Sequence, residues 1–202
     1  SLSGVKIVKS NSIITMEDKP MCVVREKRDS SMSLGLKMLA NNEVDAFVSA
    51  GNTGALITGA TLIVKRITGI NRPGIASVLP LSNPVLLMDS GANLNVTSDN
   101  LVQFAFMGAK YMEKIYGIER PRVGQLNNGA EHNKGHELQV ESYQVLSESG
   151  LNFVGNIESK EVPFNVCDVL VTDGFTGNIF LKSIEGMGKF MLNLLKDVIT
   201  TN

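Results

Sequence analysis

The residues best suited to chemistry stand in two echoing segments. Gly51-Asn52-Thr53-Gly54 follows the apolar run of residues 47–50, and Gly174-Phe175-Thr176-Gly177-Asn178 follows Val169-Leu170-Val171-Thr172-Asp173. In each, the apolar run stops in Gly-x-Thr-Gly and a long apolar-periodic segment comes after it. That is the pattern of a buried strand, a tight turn and a helix start. Such a turn aims backbone N–H groups and the positive end of a helix at one small volume, which favours a bound anion. Two such junctions suggest a site for a phosphate-like group, with Asn52, Thr53, Thr176 and Asn178 as side-chain contacts.

Two more loops share the small, polar character: Asp89-Ser90-Gly91-Ala92-Asn93 and Asn127-Asn128-Gly129. Lys134 lies a few residues beyond the second loop. It reads either as a solvated surface charge or as a cation reaching toward an anion. Asp173 reads either as an Asx-turn or N-cap residue or as a group that handles a proton, and Asp89 is similar. His132 and His136 stand four apart, a spacing that suits a metal only on a helix. Gly135 and the Asn-rich stretch before it argue for a loop, so no metal is expected. Gly186-Met187-Gly188-Lys189 lacks the third glycine of a dinucleotide fingerprint and falls inside a helical pattern, and no Walker A sequence is present. No cofactor is expected either.

Composition narrows the partners. Of the 202 residues 43% are hydrophobic and 19% charged, ordinary for a soluble protein with a real core. A net charge of -1 and 5% aromatics, with no Trp, supply neither the basic patch nor the stacking platform of a nucleic-acid binder. Cys22 and Cys167 are far apart and form no C-x-x-C pair, so both read as reduced thiols, and Cys167, beside an apolar run, reads as a buried one. The opening Ser1-Leu2-Ser3-Gly4 has no secretory pattern and no apolar run is long enough to span a bilayer, so a cytoplasmic protein is expected.

The elements that must position these loops alternate along the chain. Strands are expected at residues 5–8, 13–16, 45–50, 75–79, 85–89, 122–126, 152–155 and 168–172. Helices are expected from a Ser30 or Ser31 cap to residue 39, at 54–67, from a Thr97 or Ser98 cap to 115, at 136–146 and at 178–199. Leu101, Phe104, Ala105, Tyr111, Met112 and Ile115 make the apolar stripe of the third. The fold class is therefore α/β, a mostly parallel sheet with helices on both faces, in a single domain over 1–202. In such sheets ligands sit outside the carboxyl ends of the strands. The four polar loops then face one crevice, which makes Gly51, Asn52, Thr53, Gly54, Asp89, Asn93, Asn127, Asn128, Gly174, Thr176, Gly177 and Asn178 the binding candidates.

The assembled pieces resemble the bacterial phosphate acyltransferase family of phospholipid synthesis. The resemblance runs in order through Lys27-Arg28-Asp29-Ser30-Ser31-Met32, Asp45-Ala46-Phe47-Val48-Ser49-Ala50-Gly51-Asn52-Thr53-Gly54-Ala55, Asp89-Ser90-Gly91-Ala92-Asn93 and Pro121-Arg122-Val123-Gly124. It continues through Asn127-Asn128-Gly129-Ala130-Glu131, Asn152-Phe153-Val154-Gly155-Asn156-Ile157-Glu158 and Val171-Thr172-Asp173-Gly174-Phe175-Thr176-Gly177-Asn178. It implies an isocitrate/isopropylmalate dehydrogenase-like and phosphotransacetylase-like fold. It also implies transfer of a long acyl chain from acyl carrier protein to inorganic phosphate, with Lys134 and Asp173 as the catalytic pair.

A homodimer and peripheral association with the inner face of the cell membrane are further implications. The family also has a first strand with a glycine-rich Asp-x-Met-Gly-Gly-Asp loop, and helices after the stretch matching residue 202. This sequence contains neither, and its join at Leu79-Pro80-Leu81-Ser82 is shorter than the family's. The rival readings are a phosphotransacetylase acting on a short acyl-CoA and a non-catalytic acyl-carrier or lipid-binding module.

Overall fold

Two strands with every residue buried, β2 (Val85–Met88) and β5 (Val169–Val171), set the architecture of the larger unit. Burial on both faces makes their sequences continuously apolar, as in a covered parallel sheet. Leu86, Met88, Val169 and Val171 point to one face, where they meet Leu101, Phe104 and Met112; Val85, Leu87 and Leu170 point to the other, with Leu126 and Ile157. The computed structural model describes residues 4–200. It divides the chain into Ser1–Pro73 and Gly74–Asn202, where the sequence leads one to expect a single domain.

In Gly74–Asn202 five strands lie in the order β1-β2-β5-β3-β4, with β1 at Ala76–Leu79, β3 at Arg122–Asn127 and β4 at Asn152–Glu158. β2, β5, β3 and β4 are mutually parallel, and β1 turns back antiparallel on β2. The mostly parallel α/β fold is therefore as expected. The carboxyl ends of β2, β5 and β3 emerge side by side.

Helix α3 (Ser98–Tyr116) starts on a reciprocal cap: Thr97 Oγ1 accepts from Asn100 N, and Asn100 Oδ1 accepts from Thr97 N. It ends at Gly117, φ +69°. Leu101, Phe104, Ala105 and Met112 are buried as expected, but Tyr111 and Ile115 are exposed. Gly108 and Ala109 take that part of the face. A side chain at Gly108 would meet Val169, so the helix presses on the sheet where its residues are smallest. Helix α4 (Glu137–Glu148) and helix α5 (Gly174–Thr200) complete the unit.

Ser1–Pro73 is helical. Helix α1 (Ser31–Ala40) is capped by Ser30, whose Oγ accepts from Ser33 N. Helix α2 (Thr53–Gly59) runs into a π-turn, Ala60–Val64, and a 3-10 turn covers Pro20–Val24. Val23, Met32, Leu36 and Ala55 form its core. The strands expected at residues 5–8, 13–16 and 45–50 do not form, and only an isolated bridge joins Ser12 to Ser30. A strand needs a hydrogen-bonded neighbour, and among the described residues nothing pairs with residues 45–50. Val48 is correspondingly exposed.

Candidate active site

The carboxyl ends of β2, β5 and β3 build one site within Gly74–Asn202, and its frame is the Asp89 carboxylate. Asp89 is fully buried. Its Oδ1 accepts from the N–H groups of Ile75, Gly91 and Ala92 at 3.0, 3.1 and 2.9 Å. Its Oδ2 accepts from Asn93 N at 2.7 Å and Asn93 Nδ2 at 2.8 Å. Five donors satisfy a buried charge and hold the loop after β2 closed. Asp89 is thus a scaffold for the site, and Asn93 is tied to it.

The first turn of α5 is pressed against that loop. Gly174 N donates to Asn93 O at 2.7 Å, and Asn178 Nδ2 donates to Ser90 O at 3.2 Å. A Cβ on Gly174 would stand 2.7 Å from Asn93 N, and one on Gly177 would collide with the Asp89 carbonyl oxygen. The two glycines of Gly-x-Thr-Gly are therefore required by backbone-to-backbone approach.

Asp173 caps α5. Its Oδ1 accepts from Phe175 N and Thr176 N at 2.9 and 2.8 Å, and its Oδ2 accepts from Thr176 Oγ1 at 2.7 Å. Gly177 N donates to Asp173 O. All four leading N–H groups of α5 are engaged by the protein itself. The sequence places a bound anion at this helix end; the structure puts the protein's own carboxylate there, which answers the same helix charge. Asp173 is fixed by three hydrogen bonds; Thr176 and Asn178 are exposed, with the Thr176 hydroxyl on Asp173 and the Asn178 amide on Ser90.

The third wall follows β3. Asn127 Nδ2 donates to Lys134 O at 3.0 Å, and Asn127 Oδ1 accepts from Asn128 N at 2.8 Å. That pair folds residues 128–135 back over the strand end, with buried Gly129 under the Lys134 side chain. Gly135, φ +93°, brings the chain into α4 against Asn127. Lys134 is exposed, and among the described residues its ammonium has no hydrogen bond or ion pair.

Beneath this loop lies a buried polar network that the sequence reading misses. Ser142 Oγ donates to Gln125 Oε1; Gln125 Nε2 donates to Asn156 Oδ1 at 3.0 Å and to Gln139 O at 2.8 Å. Asn156 Nδ2 then donates to Glu131 O at 2.8 Å, pinning the loop that carries Lys134. The available signal was a Gln inside an otherwise apolar strand, since a buried amide needs partners.

Asn127, Asn128, Gly135, His136 and Thr176 line one end of an open groove of about 920 Å³, and α5 forms its wall as far as Met187. Gln139, Ser159 and Lys160, none of them singled out from sequence, line it too. His132 instead lies tilted against the Tyr143 ring, centroids 6.2 Å apart.

The remaining candidates lie in Ser1–Pro73. Asn52 is buried; its Oδ1 caps α2 through Ala55 N at 3.0 Å, and its Nδ2 donates to the carbonyls of Thr15, Met16 and Asp18. Gly51 and Thr53 are exposed, and Gly54 lies beside Pro20. The Asn52 amide is thus spent inside its own unit. Cys167 is buried beside β5 and burial pushes its thiol up to about 12, as expected of an inert structural cysteine.

The fold is shared with solved phosphotransacetylases. A phosphotransacetylase from Streptococcus pyogenes superposes with a TM-score of 0.65 at 19% identity, over 82% of this chain and 57% of that one. EutD phosphotransacetylase from Staphylococcus aureus gives 0.57 at 18% identity, over 77% and 55%. These likenesses define the fold.

The sequence profile of the family described as "Fatty acid synthesis protein" matches residues 1–202, and the chain belongs to that family. A protein named phosphate acyltransferase from Thermoanaerobacter pseudethanolicus is 49% identical over 98% of this chain. Another of that name, from Caldanaerobacter subterraneus, is 44% identical over 98%. The chain spans 60% of the length of either relative.

Proposed function

We propose that the protein containing this chain transfers a long-chain acyl group from acyl-acyl carrier protein to inorganic phosphate, forming acyl phosphate for phospholipid synthesis. The observation that carries the reading is the groove of Gly74–Asn202: polar where β3 and α5 begin it, mainly apolar along α5, where Ser183 is the polar lining residue among Ile179, Phe180, Ile184 and Met187. The family and the names of its relatives agree with it. In this reading a phosphate oxygen attacks the thioester carbonyl. The C–S bond breaks as the acyl–O bond forms, and the carrier's departing thiolate takes the proton that phosphate gives up.

Lys134 neutralises the phosphate and the developing oxyanion, a contribution of roughly 10²–10³ in rate. Asp173 holds Thr176 and the α5 cap in position to orient phosphate, with Asn127, Asn128 and Asn178 as further contacts. In the same reading Gly51, Asn52, Thr53 and Gly54 are an anion-binding turn of Ser1–Pro73 itself, with Asn52 shaping it. Asp89, Asn93, Gly174 and Gly177 keep the first turn in place.

The same reading extends to a homodimer and to peripheral association with the inner face of the cell membrane. Among the described residues no helix is long and apolar enough to cross a membrane. Beyond residue 184 α5 is exposed on every side, and Phe190, Leu192, Leu195 and Ile199 give it an apolar surface that suits such partners.

The test is turnover by the full-length protein with phosphate and palmitoyl-acyl carrier protein, trapping acyl phosphate as a hydroxamate, alongside palmitoyl-CoA and acetyl-CoA. Carrier-dependent hydroxamate is expected. Product from acetyl-CoA alone would make the protein a phosphotransacetylase, and carrier binding without product would make it a binding module.

A further inference from the structure

The groove is chemically lopsided. Where β3 ends and α5 starts the lining is Asn127, Asn128, Gly135, His136 and Thr176; further along α5 it is Ile179, Phe180, Ile184 and Met187, apolar but for Ser183. Phe180 and Ile184 pack against the core that contains Leu126, so this wall is fixed by the interior of the unit. Thr176 and Met187 are eleven residues apart on one helix, about 16 Å at the helical rise. One acyl chain fills about half of the ~30 Å hydrocarbon thickness of a bilayer, so the lengths agree.

The charges agree as well. Among the described residues no Asp or Glu lines the groove, and the lysine that does, Lys160, also pairs with Glu158 at 2.9 Å. Lys134 stands next to the lining residue Gly135. At the polar end Lys134 and Lys160 answer an anionic head, with the Asp173 and Glu158 carboxylates already engaged by the α5 cap and by Lys160, while the α5 wall beyond is apolar but for Ser183. A fatty acyl chain with an anionic head has that polarity.

We propose that the α5 wall from Ile179 to Met187 is the seat of the substrate's acyl chain, and that Ile184 and Met187 set the length it accepts. The chain enters beside Thr176 with its carbonyl at the polar end and lies along Phe180 and Ile184. Its terminal methylenes reach Met187, which is 61% exposed and therefore free to change in size without disturbing the core. The seat rests on the acyl-transfer reading, but its binding can be measured without turnover.

The experiment is equilibrium competition by octanoyl-, myristoyl- and palmitoyl-pantetheine for a fluorescent fatty-acyl probe, on the full-length protein and on Ile184→Trp and Met187→Trp. The hydroxamate assay is run on the same proteins. Each methylene denied apolar contact is worth about threefold to fourfold in affinity. The palmitoyl-to-octanoyl affinity ratio is therefore expected to fall at least about tenfold in Ile184→Trp and by a smaller factor in Met187→Trp. Met187→Trp, at the exposed end, keeps the test valid should Ile184→Trp fail to fold.

An unchanged ratio in a folded Met187→Trp would overturn the seat and give the groove another occupant, such as further polypeptide. If the ratio shifts while the wild type forms no acyl phosphate, the seat stands and the transferase reading falls. If acyl phosphate forms with unaltered chain preference in the variants, the reading stands and the seat falls.

Discussion

The two Gly-x-Thr-Gly turns look alike in sequence and are built for different ends. At Asp173 the capping carboxylate engages Phe175, Thr176 and its hydroxyl, and Gly177 lies against the Asp89 carbonyl. At Asn52 the capping amide reaches back to three carbonyls between residues 15 and 18, and Gly54 lies against the Pro20 side chain. A strand, β5, feeds the first turn, whereas none feeds the second. The shared pattern reports a helix cap and a close approach; what is approached depends on partners elsewhere in the chain. A backbone atom cannot yield and the end of a proline ring can, so equivalent changes in the two turns should differ in cost.

The largest difference is expected at the last glycine. Gly177→Ala forces a Cβ into the Asp89 carbonyl and should cost more than about 3 kcal/mol, while Gly54→Ala should cost about 1 kcal/mol. Urea unfolding of both variants measures this, and equal losses would mean that the α5 junction relaxes as easily as the other. Next come the caps. Asn52→Ala strips α2 of its cap and three carbonyls of their donor, about 2–3 kcal/mol. Asp173→Ala removes a cap alone, about 1–2 kcal/mol, but should also slow acyl phosphate formation, which separates a merely structural cap from one that orients substrate.

The smallest effect is acid sensitivity near the Asn52 turn. Lys27, 2.6 Å from Asp18, together with the N–H of Thr15, holds the Asp18 carboxyl down at about 2 from 3.8. A depressed folded-state value stabilises above the unfolded value. The contribution is thus present near neutral pH and is lost as pH falls from about 4 toward 2. Faster hydrogen exchange at the Thr15 amide over that window is expected, and Lys27→Met should flatten it. An unaltered profile in that variant would remove the ion pair from the account.

Sequence reasoning served best where structure is local or periodic. The strands β1 to β5 fall where their apolar runs stand, α3 starts at its Thr97 cap, and α5 begins only slightly ahead of the expected residue 178. It failed at residues 45–50, whose apolar run needs a neighbouring strand that no local pattern reveals. Tyr111 and Ile115 misled because they sit near the helical stripe while the small Gly108 and Ala109 make the actual contact. At the site, the polar loops after β2, β3 and β5 were legible, since small residues at strand ends are a local signal. The roles inside them were not. Only the folded chain brings five donors to Asp89, puts Asp173 at the anion position of its own helix and sets Gln125, Ser142 and Asn156 under the Lys134 loop.

The central claim is that phosphate is held where the β3 loop and the α5 cap meet, with Lys134 as its counter-charge. The most direct test is acyl phosphate formation by Lys134→Ala in the full-length protein, with thermal unfolding followed on the same sample. Because Lys134 is exposed and unpaired among the described residues, its loss should leave the melting temperature unchanged while turnover falls roughly 10²–10³-fold. Near-normal turnover by that variant would contradict the account.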